Sequence, residues 1–165
     1  RGHRGAIRVD STPSEGTIFR LLFPAYQGAP KTTPSLPKPG TAASSGVILV
    51  IDDEEIVLRT ATSVLQNAGY EVLTATNGRD GVENLRGHGD AIDAILLDLT
   101  MPVMSGEATL GEIRALNQAV PVILSSGYSE AEAIRRFSGK RLAGFLQKPY
   151  TSRTLLELLQ RVLAA

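Results

Sequence analysis

Three aspartates that could bind a cation, Asp52, Asp53 and Asp98, follow stretches of apolar residues in the sequence. Ser126 and Lys148 follow two further apolar stretches in the same way. Each residue alone has an ordinary explanation, such as a loop carboxylate or a solvated lysine. If folding brings the three carboxylates together, however, their like charges repel one another or force protonation unless a cation is bound. Together, the five residues predict a cation site.

The chemistry that these residue types favour is phosphoryl transfer to an aspartate. Carboxylate oxygens select a hard ion, and a site with two or three of them leaves room for water and a phosphate oxygen, which suits Mg²⁺ better than Ca²⁺. An ionised aspartate is a weak nucleophile that repels an incoming phosphoryl group. Mg²⁺ and the Lys148 ammonium would neutralise the phosphoryl oxygens, and the Ser126 hydroxyl would donate a further hydrogen bond.

Apolar runs alternate with amphipathic segments along residues 47–165, and these elements must position the polar side chains. Five runs have the pattern of strands buried in a sheet: Val47–Ile51, Val72–Ala75, Ala94–Leu97, Val122–Leu124 and Gly144–Leu146. Five βα units predict an α/β fold with a five-stranded, mostly parallel sheet, right-handed crossovers and helices on both faces. Polar groups beyond the carboxyl ends of such strands share one edge of the sheet.

The helices between these strands carry start and end signals. Side chains that can cap a helix N-terminus are Asn77, Ser105, Ser129 in a capping box with Glu132, and Thr151 or Ser152. Gly69 is suited to end the first helix, whose first turn is predicted to contain Glu54 and Glu55. Leu116 is predicted to share the inward face of the third helix with Leu110 and Ile113.

Composition and charge exclude several classes of protein. The chain has 165 residues with 17 basic and 17 acidic side chains, although residues 1–46 carry a net charge of +4 and residues 47–165 a net charge of −4. This balance argues against a global electrostatic attraction to nucleic acid or an anionic membrane. Without cysteine, and with only His3 and His88, a zinc site cannot be assembled. No apolar run approaches the roughly 20 residues that cross a bilayer, so we expect a cytoplasmic chain without membrane or nucleic-acid contacts.

A segment rich in Pro, Gly and Ser divides the chain. Five of the nine prolines lie within residues 24–46, which we interpret as a linker. Before it, residues 1–23 contain two β-type runs, Ala6–Val9 and Thr17–Phe23, on either side of a turn-rich stretch. An isolated hairpin is marginal in water, so these residues are expected to be the end of a larger domain. Residues 47–165 form the second domain.

Four motifs make residues 47–165 resemble the receiver domain of two-component response regulators. They are VILVIDDE at the first strand, LLDLTMP around Asp98, VILSSGY around Ser126 and FLQKP ending at Pro149. The resemblance implies a flavodoxin-like strand order, 2-1-3-4-5. It also implies that Asp98 accepts a phosphoryl group from a histidine of a sensor kinase or a histidine phosphotransfer protein, in the presence of Mg²⁺, and that the domain then switches conformation.

The same resemblance implies a metal-binding set. Asp53 is expected to be a direct Mg²⁺ ligand, and Asp52 its companion, acting mostly through water. Asp98 belongs to the set through its own carboxylate. Thr100 is expected to supply a backbone carbonyl.

Phosphate binding and switching are also implied by the resemblance. Lys148 is expected to contact the phosphoryl group, with a cis peptide bond to Pro149. Ser126 is expected to move toward the phosphate, and Phe145 to turn inward when it does. An alternative interpretation of Phe145 as an ordinary core residue stays open, since most aromatic residues on strands belong to the core.

Residues 1–23 have a resemblance of their own. The segment HRGAIRVDSTPSEGTIFRLLFPA is similar to the closing strands of a histidine kinase ATPase domain, including the Gly16-Thr17 pair. The upstream asparagine box and the Asp-x-Gly-x-Gly loop of that family do not occur in the sequence, so kinase activity of this segment is not expected. The arrangement suggests part of a hybrid sensor histidine kinase.

Three other functions compete with this interpretation. A magnesium phosphatase of the haloacid dehalogenase type needs an acid two residues after its nucleophile, where Thr100 stands. A flavodoxin-like cofactor site needs a turn that cradles a phosphate, where Asp52 and Asp53 would repel it. An inert receiver-like docking module has the same fold, and fold alone does not establish activity.

Overall fold

The computed structural model describes residues 5–25, 45–128, 132, 135, 137 and 140–164. The chain divides into two compact units, one ending at Lys38 and the other beginning at Pro39, a boundary inside the predicted linker. Each unit has a sheet of its own. The cap predicted at Ser129 lies outside the described residues.

The first unit contains an antiparallel hairpin of β1 (Ala6–Thr12) and β2 (Gly16–Leu22). The predicted hairpin is confirmed, with strands that reach closer to the turn. One face carries four apolar side chains, all of them exposed: Ile7, Val9, Phe19 and Leu21. On the other face, Asp10 pairs with Arg8 and Arg20. Because it buries so little apolar surface, this hairpin gains little stability on its own.

The second unit contains a five-stranded sheet in which every pair of neighbouring strands is parallel. The strands are β3 (Val47–Ile51), β4 (Glu71–Ala75), β5 (Ile92–Asp98), β6 (Val122–Ser126) and β7 (Gly144–Gln147). Their order is β4-β3-β5-β6-β7, which confirms the predicted order 2-1-3-4-5. β5 and β6 run further than predicted, because Asp98 pairs with Ser125 and Ser126 pairs with Gln147.

Helices cover both faces of this sheet, as predicted. Those whose bounds lie within the described residues are α1 (Glu55–Asn67), α2 (Gly78–His88), α3 (Gly106–Leu116) and α4 (Ser152–Leu163). Leu49 and Ile51 of β3 pack in the core beneath α2 and α3, while Ile48 and Val50 pack in the core beneath α1 and α4. A strand that is buried on both faces has to be apolar throughout, which explains the continuous run of apolar residues in β3. Within the described part of the chain, no helix has the length and apolar character needed to cross a membrane.

The predicted caps are confirmed wherever the structure describes them. The side chains of Asn77, Ser105 and Thr151 each accept a hydrogen bond from the backbone N–H three residues later. Gly69 follows α1 with φ of 97°, and its N–H donates to the Gln66 carbonyl at 3.0 Å. This left-handed conformation suits glycine, so the local sequence determines where α1 ends.

Two predictions about helix residues were wrong. Leu116 is 44% exposed rather than buried, because it is the last residue of α3 and the chain leaves the helix at Asn117. Glu54 is not in the first turn of α1 but precedes the helix with an extended backbone. The side chain of Glu54 therefore lies at the carboxyl edge of the sheet, near Lys148.

Candidate functional site

Lys148 links two buried carboxylates at the carboxyl edge of the sheet. Asp52 directly follows β3 and Asp98 ends β5, and they are 3% and 4% exposed. The Nζ atom of Lys148, which follows β7, lies 2.7 Å from Asp52 Oδ2 and 3.0 Å from Asp98 Oδ1. Asp52 and Asp98 meet because β3 and β5 are parallel neighbours, so the two strands end on the same side of the sheet.

Backbone amides hold the other oxygen of each carboxylate. The N–H of Thr100 donates to Asp98 Oδ2 at 3.1 Å, and the N–H of Glu54 donates to Asp52 Oδ1 at 3.0 Å. Hydrogen bonds from charged or backbone donors fix the orientation of a carboxylate. Asp98 is therefore held between an ammonium group and an amide before any ligand binds.

Burial disfavours the charged forms of the ionisable side chains in this pocket. It raises the pKa of Asp98 above its ordinary value, even though Lys148 acts in the opposite direction, and the neighbouring Asp52 raises it further. For Lys148, burial would lower the pKa of the ammonium, but hydrogen bonds to Asp52 and Asp98 outweigh this effect and raise the pKa. Lys148 thus stays protonated at neutral pH.

Asp53 completes a group of three carboxylates. Asp52, Asp53 and Asp98 each offer an oxygen within 4.8 Å of the others, and Asp53 is exposed. One lysine beside them leaves a local excess of negative charge. Carboxylate oxygens at this spacing fit a hard divalent cation such as Mg²⁺. Such an acidic triad is typical of a Mg²⁺ site.

Ser126 lies at the end of β6, next to this pocket in the sheet. Its side chain is fully buried, and its Oγ accepts a hydrogen bond from the Tyr128 N–H at 3.1 Å. Its carbonyl accepts from the Lys148 N–H at 2.7 Å. Phe145 in β7 is half-buried and packs against the core on the α2 and α3 side. The peptide bond between Lys148 and Pro149 is cis, as expected.

Two residues near the pocket were not found from the sequence. Tyr150 lines a cleft together with Glu54 and Lys148, and burial, followed by the charge of Asp52, raises the pKa of its phenol. The carboxylate of Glu54 lies 3.7 Å from Lys148 Nζ, which adds a third carboxylate beside the lysine. Tyr150 could have been predicted to lie near the site from the sequence, because it immediately follows the Lys148–Pro149 pair.

Comparison with known proteins agrees with the fold and the site. Residues 48–160 match the family described as the response regulator receiver domain. The sensor kinase CckA of Brucella abortus is 28% identical over 167 residues, an alignment that includes 96% of this chain. The chain spans only 18% of the length of that relative.

Two solved structures resemble the second unit. The receiver domain of the hybrid histidine kinase CckA is 30% identical, with a TM-score of 0.61 over 72% of this chain and 99% of that domain. CheY from Borrelia burgdorferi, in a complex with CheX, BeF₃ and Mg²⁺, is 25% identical, with a TM-score of 0.68 over 71% of this chain and 88% of that protein. Because the family match covers more than half of the chain, this protein belongs to the response regulator receiver domain family.

Proposed function

We propose that Asp98 is the phosphoacceptor of this receiver, and that it takes a phosphoryl group from a phosphohistidine of a histidine kinase or a histidine phosphotransfer protein. The observation that carries the proposal is the binding of the two Asp98 oxygens by Lys148 and by the Thr100 amide. A buried carboxylate held in this way is oriented for attack and stays close to a cation.

In the proposed reaction, a carboxylate oxygen of Asp98 attacks phosphorus. The new O–P bond forms as the P–N bond of the phosphohistidine breaks, and the electron pair of that bond returns to the imidazole, which takes up a proton. Lys148 pairs with the incoming phosphoryl oxygens in exchange for its bond to Asp98. The ammonium is protonated for this role because of its raised pKa.

Asp52, Asp53 and Asp98, with the carbonyl of Thr100, would hold the Mg²⁺ ion. The three carboxylates lie close enough together to share one cation. Such an ion supplies charge neutralisation for the phosphoryl oxygens when it is bound. The protein itself contributes the orientation of Asp98 and the buried surroundings.

Ser126 and Phe145 are the proposed switch residues. The Ser126 hydroxyl has to leave its hydrogen bond with the Tyr128 amide in order to reach a phosphoryl group. Its movement would vacate space that the half-buried Phe145 can enter. The switch thereby connects the pocket to the surface around β7.

We further propose that the chain is part of a cytoplasmic hybrid sensor histidine kinase. Residues 1–23 would be the end of the ATPase domain, residues 24–46 a linker, and residues 47–165 the receiver. The alignment with the CckA sensor kinase over 96% of this chain supports this arrangement. In this proposal the parent protein is the kinase, and the segment described here is the phosphate acceptor.

The proposal is tested by phosphorylation with acetyl phosphate. We expect the wild-type chain to gain one base-labile phosphoryl group in the presence of Mg²⁺, measured by intact-protein mass spectrometry, and the Asp98→Asn variant to gain none. Asp53→Asn should require a higher Mg²⁺ concentration, because one carboxylate of the acidic group is lost.

Asp93→Asn is the matched control for these variants. Asp93 lies at the opposite end of β5, where its carboxylate accepts a hydrogen bond from the Val47 N–H at 2.7 Å, and asparagine keeps an acceptor there. This variant should be labelled like the wild type. Equal labelling of Asp98→Asn and wild type would contradict the assignment, and an absence of labelling in every variant would favour the inert docking module.

A further inference from the structure

A cleft of about 310 Å³ lies beside the second half of α3. The described residues that line it, which we call the cationic cleft, are Leu110, Gly111, Arg114, Gln118, Lys140 and Arg141. α3 runs from the carboxyl edge of the sheet toward the start of β6, and Arg141 shortly precedes the start of β7. The cationic cleft therefore lies toward the amino edge of the sheet, away from Asp98.

Backbone carbonyl groups fix Arg114 in the wall of this cleft. Its Nη1 atom donates to the carbonyls of Val120 at 2.8 Å and Asn117 at 3.4 Å, and its Nη2 atom donates to the carbonyl of Arg141 at 2.8 Å. A guanidinium group has five N–H groups, so one on Nη2 and the one on Nε remain after these three bonds. The Nε atom is buried and has no hydrogen-bond partner among the described residues. Arg114 is thus held rigidly and still has donors to offer.

Two positive charges in the cleft have no anionic partner. Lys140 pairs with Glu107 at 2.7 Å. Neither Arg114 nor Arg141, in contrast, forms an ion pair with a carboxylate in the described part of the chain. Burial lowers the pKa of the Arg114 guanidinium, and the positive charge of Arg141 lowers it further, because the two like charges lie close together. Since arginine stays protonated in proteins, an anion between the two groups would relieve their repulsion.

Gly111 keeps part of the cleft open. It lies in the middle of α3, where glycine is less favourable than alanine. No atom of the described residues lies within 4 Å of the position that a Cβ atom would take at Gly111. Packing within the protein therefore does not require glycine here. A methyl group at this position would instead take up space in the cleft.

These features indicate the chemistry of a ligand. Guanidinium groups bind phosphate and carboxylate oxygens through paired hydrogen bonds. A phosphate monoester carries a charge of about −1.5 to −2 at neutral pH and so matches two arginines, whereas a single carboxylate matches one. The volume of the cleft is near the lower end of the range for small-molecule sites, roughly 300–1,000 Å³. Leu110 and Gly111 provide an uncharged surface for the remainder of such a ligand.

We propose that the cationic cleft binds a small organic phosphate. The phosphate group lies between the guanidinium groups of Arg114 and Arg141, and the organic part lies over Gly111. This inference does not depend on the proposed function of Asp98, because the cleft and the acidic group lie toward opposite edges of the sheet. The receiver then recognises a small molecule in addition to accepting a phosphoryl group.

The test follows the amide resonances of the full chain by two-dimensional NMR during titration with three probes. Adenosine 5′-monophosphate (AMP) carries a phosphate and an organic part, whereas inorganic phosphate and adenosine carry one of them each. Ionic strength is kept constant because salt screens charges, and divalent cations are left out so that the acidic group repels phosphate. We expect AMP to shift the amides of Leu110, Gly111 and Arg141 saturably, inorganic phosphate to do so more weakly, and adenosine not to shift them.

Four variants locate the binding site. Arg141→Gln should weaken AMP binding about tenfold, since the loss of charge-assisted hydrogen bonds has effects of this size. Arg161→Gln is the matched control, because Arg161 is an exposed arginine of α4 that forms no ion pair with the described residues, and it should bind AMP like wild type. Gly111→Ala should weaken the binding of AMP but not of inorganic phosphate. Gly87→Ala, the same change in α2, should affect neither.

Four results would overturn the inference. In the first, neither AMP nor inorganic phosphate causes saturable shifts around the cationic cleft. In the second, Arg161→Gln weakens binding as much as Arg141→Gln, so that phosphate responds only to the overall charge of the surface. In the third, adenosine shifts the same amides as strongly as AMP, so that the phosphate group is not recognised. In the fourth, Gly111→Ala binds AMP like wild type, so that the organic part does not lie in the cleft.

Discussion

At the scale of single residues, the site depends on how one lysine is shared. Lys148 contacts both Asp52 and Asp98, and each carboxylate turns its second oxygen to a backbone amide. Removal of one partner from a buried ion pair is strongly destabilising, because the remaining charge is buried without compensation. Here the carboxylates of Asp52, Asp98 and Glu54 all lie within 4 Å of a single ammonium, so part of the negative charge stays uncompensated in the absence of a divalent cation.

The charge of Asp98 should make stability depend on pH. Burial raises the pKa of Asp98 in the folded chain above its value in the unfolded chain. At a pH between these two pKa values, the folded state therefore binds more protons than the unfolded state. Stability associated with Asp98 is then present at low pH and is lost as pH rises through the folded pKa. We expect Asp98→Asn to increase the free energy of unfolding relative to wild type, and to increase it more at pH 7 than at pH 3.

Urea unfolding without divalent cations measures this difference. Asp93→Asn, at the other end of the same strand, reports general effects of replacing a carboxylate with an amide. If Asp98→Asn raised the free energy of unfolding equally at both pH values, or more at pH 3, burial would not dominate the titration of Asp98.

At the scale of elements, α2 packs closely against α3, the helix that follows the loop after Asp98. α2 begins at Gly78, where an added Cβ would overlap the Oγ1 atom of Thr109 in α3. Thr109 is fully buried and donates to the Ser105 carbonyl at 2.9 Å, so it has little room to move. The close approach of the two helices therefore requires glycine at position 78.

Gly78→Ala and Gly87→Ala make the same change at the two ends of α2. We expect Gly78→Ala to destabilise the protein by about 1–3 kcal/mol through overpacking. Gly87 has open space around its Cβ position, so Gly87→Ala should stabilise the protein by about 0.5–1 kcal/mol through helix propensity. Thermal and chemical unfolding measure both changes, and a stabilised Gly78→Ala variant would contradict the packing described.

At the scale of the whole molecule, the two units have separate sheets. The five-stranded sheet and both of its cores are formed by residues of the second unit, and the hairpin shares no strand with them. The hydrophobic cores of the second unit therefore consist of its own residues. The hairpin, in contrast, leaves an apolar face exposed.

Deletion of residues 1–44 should leave the second unit intact. We expect the midpoint of thermal unfolding to change by less than about 2 °C, since changes outside a folded core have small effects on stability. Labelling of Asp98 by acetyl phosphate should proceed at the rate of the full chain. A drop of many degrees, measured by calorimetry, would show that the first 44 residues contribute to the fold of the second unit.

The local sequence was sufficient to predict the alternation of strands and helices, because buried strands and amphipathic helices leave their periodicity in consecutive residues. Caps such as Asn77 and Ser105 were predictable for the same reason, since each bonds to a backbone group three residues away. The prediction failed for Leu116, where the helical pattern continues to the last residue of α3 but the core beneath it does not.

Only the tertiary structure decided which atoms meet in the site. The hydrogen bond from Lys148 to Asp52 joins residues 96 positions apart, and it depends on the register of parallel strands and on the packing of both cores. The approach of Glu54 to the lysine and the burial of Tyr150 depend on the same packing. Val103, in the loop between β5 and α3, has a φ of +67° and is 87% exposed. The fold determines this conformation, because a β-branched residue by itself disfavours positive φ.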